Sequence, residues 1–311
     1  MKPTFQHLFN EFVFECEFVR KLKPETLRGY REALSMFTRL IPEASTESLN
    51  AMTMAKFFKL LDERKRMVGK GTIKTGIKKS TVANYWSKLN CFFEWLKIKK
   101  LIPQNPFAEM EYPSPVFEDR KFLMKEDIEK ILTAIVKNPD TNILLLKRNL
   151  VIFYILLFCG LRKGELLLLQ VRDIDLDRKI VTVRAETSKI PRTRRIPLHS
   201  DLVIYLKDYL IARKKFTTPY LIVSSTRDDR FSYDGLKHLV RKLRENSGIR
   251  FHLHQLRHTF AVNFLNRGGD IAKLKQLLGH TDIRMTMVYL RCLPTSVMKS
   301  DIEKMSIDNL V

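Results

Sequence analysis

The sequence predicts a mainly α-helical protein of two domains, the second carrying one small antiparallel β-sheet. Three observations lead there. Apolar residues recur three and four apart from Phe5 to about Leu101 and again beyond Leu123. Between these regions "PQNPFAEMEYPSPVFEDRKF", with prolines at 103, 106, 113 and 115, denies helix on both sides and reads as a linker. One stretch, residues 171–198, is instead rich in β-branched residues around a basic turn. The resulting division is a helical domain over 1–110, a linker over 111–122 and a second domain over 123–311. With 311 residues and 45% hydrophobic content, each domain has the apolar surface for a core of its own.

The first domain shows four helical segments: "TFQHLFNEFVFECEFV", "ETLRGYREALSMFTRLI", "MTMAKFFKLLDERKRMV" and "STVANYWSKLNCFFEWLKIKKLI". Thr26, Tyr30 and Phe37 repeat the spacing of Thr81, Tyr85 and Phe92, which suggests that two of these helices cap and pack alike. Before the last of them, "GKGTIKTGIKKS" reads as a basic, glycine-punctuated loop. Its Lys74, Lys78 and Lys79 suit a DNA backbone contact or a solvated surface equally. In the second domain "LMKEDIEKILTAIV" resumes the helical pattern, followed by a buried run up to Leu169. "KIVTVRA" and "RRIPL" read as strands. "SDLVIYLKDYLIARKK", "SYDGLKHLVRKLRENSG", the stretch around His254, "DIAKLKQLLGH" and "DIRMTMVYL" return to helix, and so does a terminal segment within 295–311.

The chain carries 56 Lys and Arg against 34 Asp and Glu, a formal net charge of +22. Such an excess costs stability through self-repulsion and points to a polyanionic partner. The longest apolar run, "LVIFYILLFCGL", is bounded by Arg148 and Arg162 and falls short of the roughly 20 residues of a membrane span. The N-terminus lacks a signal-peptide cleavage site, and four scattered cysteines make no CxxC pair and no disulfide framework. A cytoplasmic, nucleoid-associated protein with no membrane partner is expected.

"FHLHQLRHTF", residues 251–260, holds three of the seven histidines. On a helix His254 and His258 stand at i, i+4, the spacing of a two-ligand zinc site, while His254 and Arg257 stand at i, i+3 and can grip one anion. The metalloprotease pattern needs glutamate after the first histidine, and Gln255 stands there. No metal or other cofactor is therefore expected. Splitting a phosphodiester without metal instead requires arginine forks on the non-bridging oxygens, a nucleophile and a proton donor for the leaving oxygen.

Four motifs offer such groups. "CGLRKGELLLLQ" places Arg162 at the end of a buried run with Glu165 at i, i+3 to orient it, although a surface arginine at a helix start has the same spacing. "ETSKIPRTRRIPL" places Lys189 at a turn among Arg192, Arg194 and Arg195, where a lysine can reach into DNA and protonate a leaving alcohol, although such a basic turn taken alone is more often a plain DNA backbone contact. "HLHQLRHTFA" supplies His254 and Arg257. "LLGHTDIRMTMVYL" puts His280 after a glycine that ends a helix, and Tyr289 nine residues on.

The ordered set "GLRKGEL", "HLHQLRHTFA", "LLGHTD" and "MTMVYL" resembles the signature of the tyrosine recombinase (phage integrase, Xer-like) family. "STVANYWSKLNCFFEWLKIKKLIPQNPF" is similar in pattern to that family's core-binding domain. The resemblance implies two domains forming a C-shaped DNA clamp, and it implies roles. Arg162 and Arg257 clamp the scissile phosphate, and His254 and His280 share hydrogen bonding and proton transfer. Lys189 protonates the leaving 5′ oxygen and Tyr289 attacks phosphorus, with Glu165 and His258 supporting. It further implies a covalent 3′-phosphotyrosyl intermediate without ATP or metal, and a tetramer on double-stranded DNA bearing inverted-repeat sites. The 295–311 tail is available for exchange between subunits, and an accessory activator is left unassigned. Chromosome-dimer resolution, which serves chromosome partition, and mobile-element integration or excision both remain open. So do a type IB-like topoisomerase and a catalytically silent architectural DNA-binding protein.

Overall fold

The computed structural model describes residues 4–68, 71–113, 122–138, 142–188 and 192–293. Lys189 and the 295–311 tail lie outside the described residues. The chain divides into two compact units, Met1–Phe117 and Glu118–Val311. Among the described residues no helix is long and apolar enough to cross a membrane.

In the first unit α1 (Phe5–Phe18), α2 (Pro24–Leu40), α3 (Ala51–Glu63) and α4 (Lys79–Ile98) surround an aromatic core. Each turns one stripe inward, as α2 does with Leu27, Tyr30, Ala33, Leu34 and Phe37. Thr4 and Asn50 cap α1 and α3 by accepting backbone N–H bonds. Thr26 and Thr81 do not cap. Each lies three residues after its cap, Lys23 and Lys78, neither of which makes a side-chain cap bond. The two helices share a register rather than a cap.

The end of the third expected helix and the loop expected ahead of α4 both differ from expectation, since α3 stops at Glu63. Lys65–Val68 (β1) and Thr72–Thr75 (β2) pair antiparallel into a two-stranded ribbon. "TIKT" is exposed along its whole length, so it lacks the buried alternate face by which strands are usually recognised.

The second unit is built on α6 (Ile143–Cys159), apolar nearly all round and packed against α8 (Ser200–Ala212) and α10 (Leu253–Asn266). Around it stand α5 (Lys125–Val136), α7 (Lys163–Leu168), α9 (Tyr233–Ser247) and α11 (Ile271–Leu278). The expected sheet is present, with β3 (Ile174–Asp175), β4 (Ile180–Val183) and β5 (Arg194–Pro197) antiparallel in that order. "DIRMTMVYL" keeps only one helical turn, α12 (Arg284–Met287), followed by a 3₁₀ turn at Leu290–Cys292.

Phe92 is buried among Phe5, Phe9, Phe12, Phe93 and Trp95, with ring centroids 5.3–6.2 Å away. Phe92→Ala is expected to destabilise the first unit by roughly 3–5 kcal/mol. Urea unfolding followed by tryptophan fluorescence measures it, and a loss below about 1 kcal/mol, the scale of an exposed substitution, would contradict this packing.

Candidate active site

Two helix ends and one buried carboxylate organise the site. Helix α6 stops at Gly160, which adopts the left-handed conformation (φ +59°), and a Cβ there would lie 2.4 Å from Phe260 Cδ1. Its carbonyl faces α10 and accepts from Arg257 Nη1 at 2.7 Å. Helix α11 stops at Gly279 in the same way (φ +63°), and a Cβ there would come within 3.0 Å of Arg194 Nη1. Leu278 O accepts from Arg257 Nη2 (2.7 Å), and Gly279 O lies 3.5 Å from Arg162 Nη2. The C-terminus of α11 thus collects both arginines expected to hold phosphate.

Glu165, 1% exposed, sits in the first turn of α7 and accepts the backbone N–H of Arg162 at 2.9 Å. Arg162 Nη1 donates to it at 3.0 Å, Ser188 Oγ at 3.0 Å, and Arg194 at 3.0 and 2.7 Å. Burial opposes ionisation of this carboxyl, but the hydrogen bonds and charge of Arg194, reinforced by Arg162, outweigh it and hold the pKa at about 2.

Arg194, assigned with Arg192 and Arg195 to DNA contact, is corrected by this arrangement. Its side chain is 8% exposed, gripped by Glu165, with Nε donating to Leu277 O at 2.8 Å. It fastens β5 to α7 and α11 and is not available to a DNA strand. The period-2 rule contained the signal, because Arg194 shares the inward face of β5 with Ile196. Arg192 and Arg195, like Lys74, Lys78 and Lys79, are exposed.

Arg257 is 1% exposed, and among the described residues no carboxylate pairs with it in a salt bridge. Burial, with the nearby charge of Arg162, pushes its pKa down to about 10, so it remains cationic near neutrality. Burial alone marks no site. Arg148 is buried too, but it stacks over Phe231 at 4.1 Å and is held by Val223 O and Asn149. What distinguishes Arg257 is a second guanidinium and a histidine beside it.

That histidine is His280, whose Nε2 lies 3.0 Å from Arg257 Nη2 and whose Nδ1 lies 2.9 Å from Thr286 Oγ1. A guanidinium only donates, so Nε2 accepts and Nδ1 carries the proton toward Thr286. Tyr289, 1% exposed, places its hydroxyl 3.1 Å from His258 Nδ1. His258, expected only to support or pack, is therefore the histidine on the tyrosine hydroxyl. His254 is exposed one turn earlier on α10, its ring edge-on to His258 at 4.4 Å. Ser188, Thr286 and the two helix-ending carbonyls were not singled out from the sequence. Only Gly279 carried a signal there.

The Phage integrase family model matches residues 121–295. Tyrosine recombinase XerC of Bacillus pumilus (strain SAFR-032) is 27% identical over 308 residues, covering 96% of this chain and 95% of the relative. The Tn1549 transposon integrase in complex with transposon right end DNA matches with a TM-score of 0.76 at 18% identity, over 97% of this chain and 99% of that one. XerH site-specific recombinase bound to palindromic difH substrate matches with a TM-score of 0.70 at 19% identity, over 94% and 84%. At these identities the structural likeness bears on the fold.

Because folding lowers the pKa of Glu165, its stabilising contribution is complete above the ordinary carboxylate range and is lost as pH falls toward about 2. Glu165→Gln is expected to cost roughly 3–5 kcal/mol near neutrality, since it leaves the buried guanidinium of Arg194 unpaired. The gap between native and variant stability should shrink by on the order of 3 kcal/mol between about pH 5 and pH 2. Denaturant midpoints across that range measure it, and a gap independent of pH would show that the carboxyl is not ionised.

Proposed function

This chain belongs to the phage integrase family and is a tyrosine recombinase, an enzyme that cuts and rejoins DNA, and on that premise we propose that Tyr289 is its nucleophile and that Arg162 and Arg257 hold the scissile phosphate. The observation that carries this reading is the excess of cations at the end of α11. Arg162, Arg194 and Arg257 converge around a single buried carboxylate, Glu165, which Arg194 largely occupies. A phosphodiester is the anion that balances such a set, and planar guanidinium forks match its oxygens.

In this mechanism the Tyr289 oxygen bonds to phosphorus as the bond to the 5′ oxygen breaks. The phenolic proton passes to a histidine, and His258 is the one in contact with the hydroxyl. The departing 5′ oxygen takes a proton from Lys189. His254 and His280 share hydrogen bonding to the phosphate and proton transfer. A free 5′ hydroxyl then attacks the 3′-phosphotyrosyl bond and restores the DNA backbone. The bond energy is conserved throughout, so ATP is not needed.

The near-full-length similarity to a XerC recombinase supports an Xer-like reaction. Two inverted-repeat sites would be bound by four subunits that exchange strands in pairs, either for chromosome-dimer resolution or for movement of an element. XerH, of similar fold, is described as bound to a palindromic site, which is the symmetry such an assembly requires.

Tyr289→Phe is expected to abolish covalent protein–DNA linkage while leaving duplex affinity within about twofold. Nicked duplexes drawn from the DNA adjoining this protein's own gene, resolved on denaturing gels, make the measurement; linkage surviving in the variant would sink the assignment. Linkage should also persist in EDTA, and strong inhibition would revive a metal at His254 and His258.

A further inference from the structure

The ribbon of β1 and β2 has no part in the chemistry above, and its composition is unusual. Among the described residues from Arg64 to Lys79 there are six cations, Arg64, Lys65, Arg66, Lys74, Lys78 and Lys79, and no acid. Direct partners across the ribbon are Lys65 and Thr75, Arg66 and Lys74, and Met67 and Ile73. Partners share a face and successive pairs alternate faces. Met67 and Ile73 therefore stand side by side on one face with Lys65, while Arg66 and Lys74 stand side by side on the other.

Both faces carry a cost. Met67 is 75% exposed and Ile73 67% exposed, an apolar pair left in water. Arg66 and Lys74 are like charges directly opposed, which weakens a strand pair, although Arg66 Nε also donates to Gly76 O at 2.9 Å. A lone two-stranded ribbon is marginal in water to begin with. One class of partner relieves every cost together: a polyanion with apolar surface recessed between its charges, as in the groove of duplex DNA. The major groove admits a two-stranded ribbon, and thymine methyl groups line it.

We propose that this ribbon enters a groove of the target duplex and reads sequence there, its cations on flanking phosphates and the Met67 and Ile73 pair against base edges. The inference rests on the reading that this chain acts at defined DNA sites, and it assigns part of that specificity to the first unit, far in sequence from Tyr289. An apolar pair of this kind favours thymine, so the expected preference is for one or more A·T pairs at fixed positions in each half-site.

The test uses the full chain and selection from random-sequence duplexes. The native chain should enrich a motif. Met67→Ser/Ile73→Ser, altered only at exposed positions and checked for unchanged thermal unfolding, should lose preference at a block of adjacent positions while the rest of the motif survives. Lys65→Gln/Lys74→Gln should weaken binding to all sequences alike and reduce the slope of log affinity against log salt by about 2. A motif unchanged in the apolar variant would overturn base reading by the ribbon alone. An unchanged salt slope in the charge variant would take the ribbon off the DNA. Self-association without DNA, lost in the apolar variant, would make the ribbon an edge for a second copy instead. If the native chain enriches no motif, site-specific recombination fails together with the ribbon.

Discussion

The active site depends on keeping one carboxylate charged inside the protein. Glu165 is almost fully buried, and ionised carboxylates are costly there unless every oxygen has a donor. Those donors come from three places in the chain: the entry to α7 through Arg162, the strand connection through Ser188, and β5 through Arg194. Arg194 then carries the link onward to Leu277 at the end of α11. Removing the charge would take away one anchor shared by three elements.

The same carboxylate leaves the site deliberately short of negative charge. Arg257 is bound by two helix-ending carbonyls, which supply hydrogen bonds but no full counter-charge. Carbonyls at the C-termini of α6 and α11 carry the negative end of each helix dipole and so moderate the cost of the buried cation. They do not cancel it. The left-handed glycines at 160 and 279 make this possible, because each turns the chain sharply enough for its carbonyl neighbourhood to face inward, and each has a side chain pressed against the space a Cβ would need. In the proposed reaction a bound phosphate would complete the charge balance that the protein alone leaves open.

Most of the helices and the small sheet were legible in the sequence because they depend on local rules: periodicity, β-branched runs, glycine at helix ends; Ser188 and Thr286, which no such rule marks, were not. Arg194 was legible in principle and misassigned, since its inward direction follows from the alternation that places Ile196 in the core. The ribbon was not legible. β2 is exposed along its length, so the period-2 signal that marks a strand was absent there and what remained was glycine and positive charge, the composition of a loop, while β1 was read as the end of the preceding helix. The partnership of His258 with Tyr289 was invisible for another reason: 31 residues separate them, and only the packing of α10 against the last turns brings them together.

Hydrogen-bond direction gives the two histidines different capacities. Arg257 can only donate, so the chain runs from Arg257 to His280 Nε2 and from Nδ1 to Thr286, which fixes a neutral tautomer for His280. A second proton on His280 would set donor against donor and break its link to Arg257. Its capacity to move a proton is therefore coupled to the position of Arg257. His258 has no such constraint at Nδ1, because a phenol can donate or accept. It can accept the Tyr289 proton without disturbing either arginine, which in the proposed mechanism separates activation of the nucleophile from clamping of the phosphate.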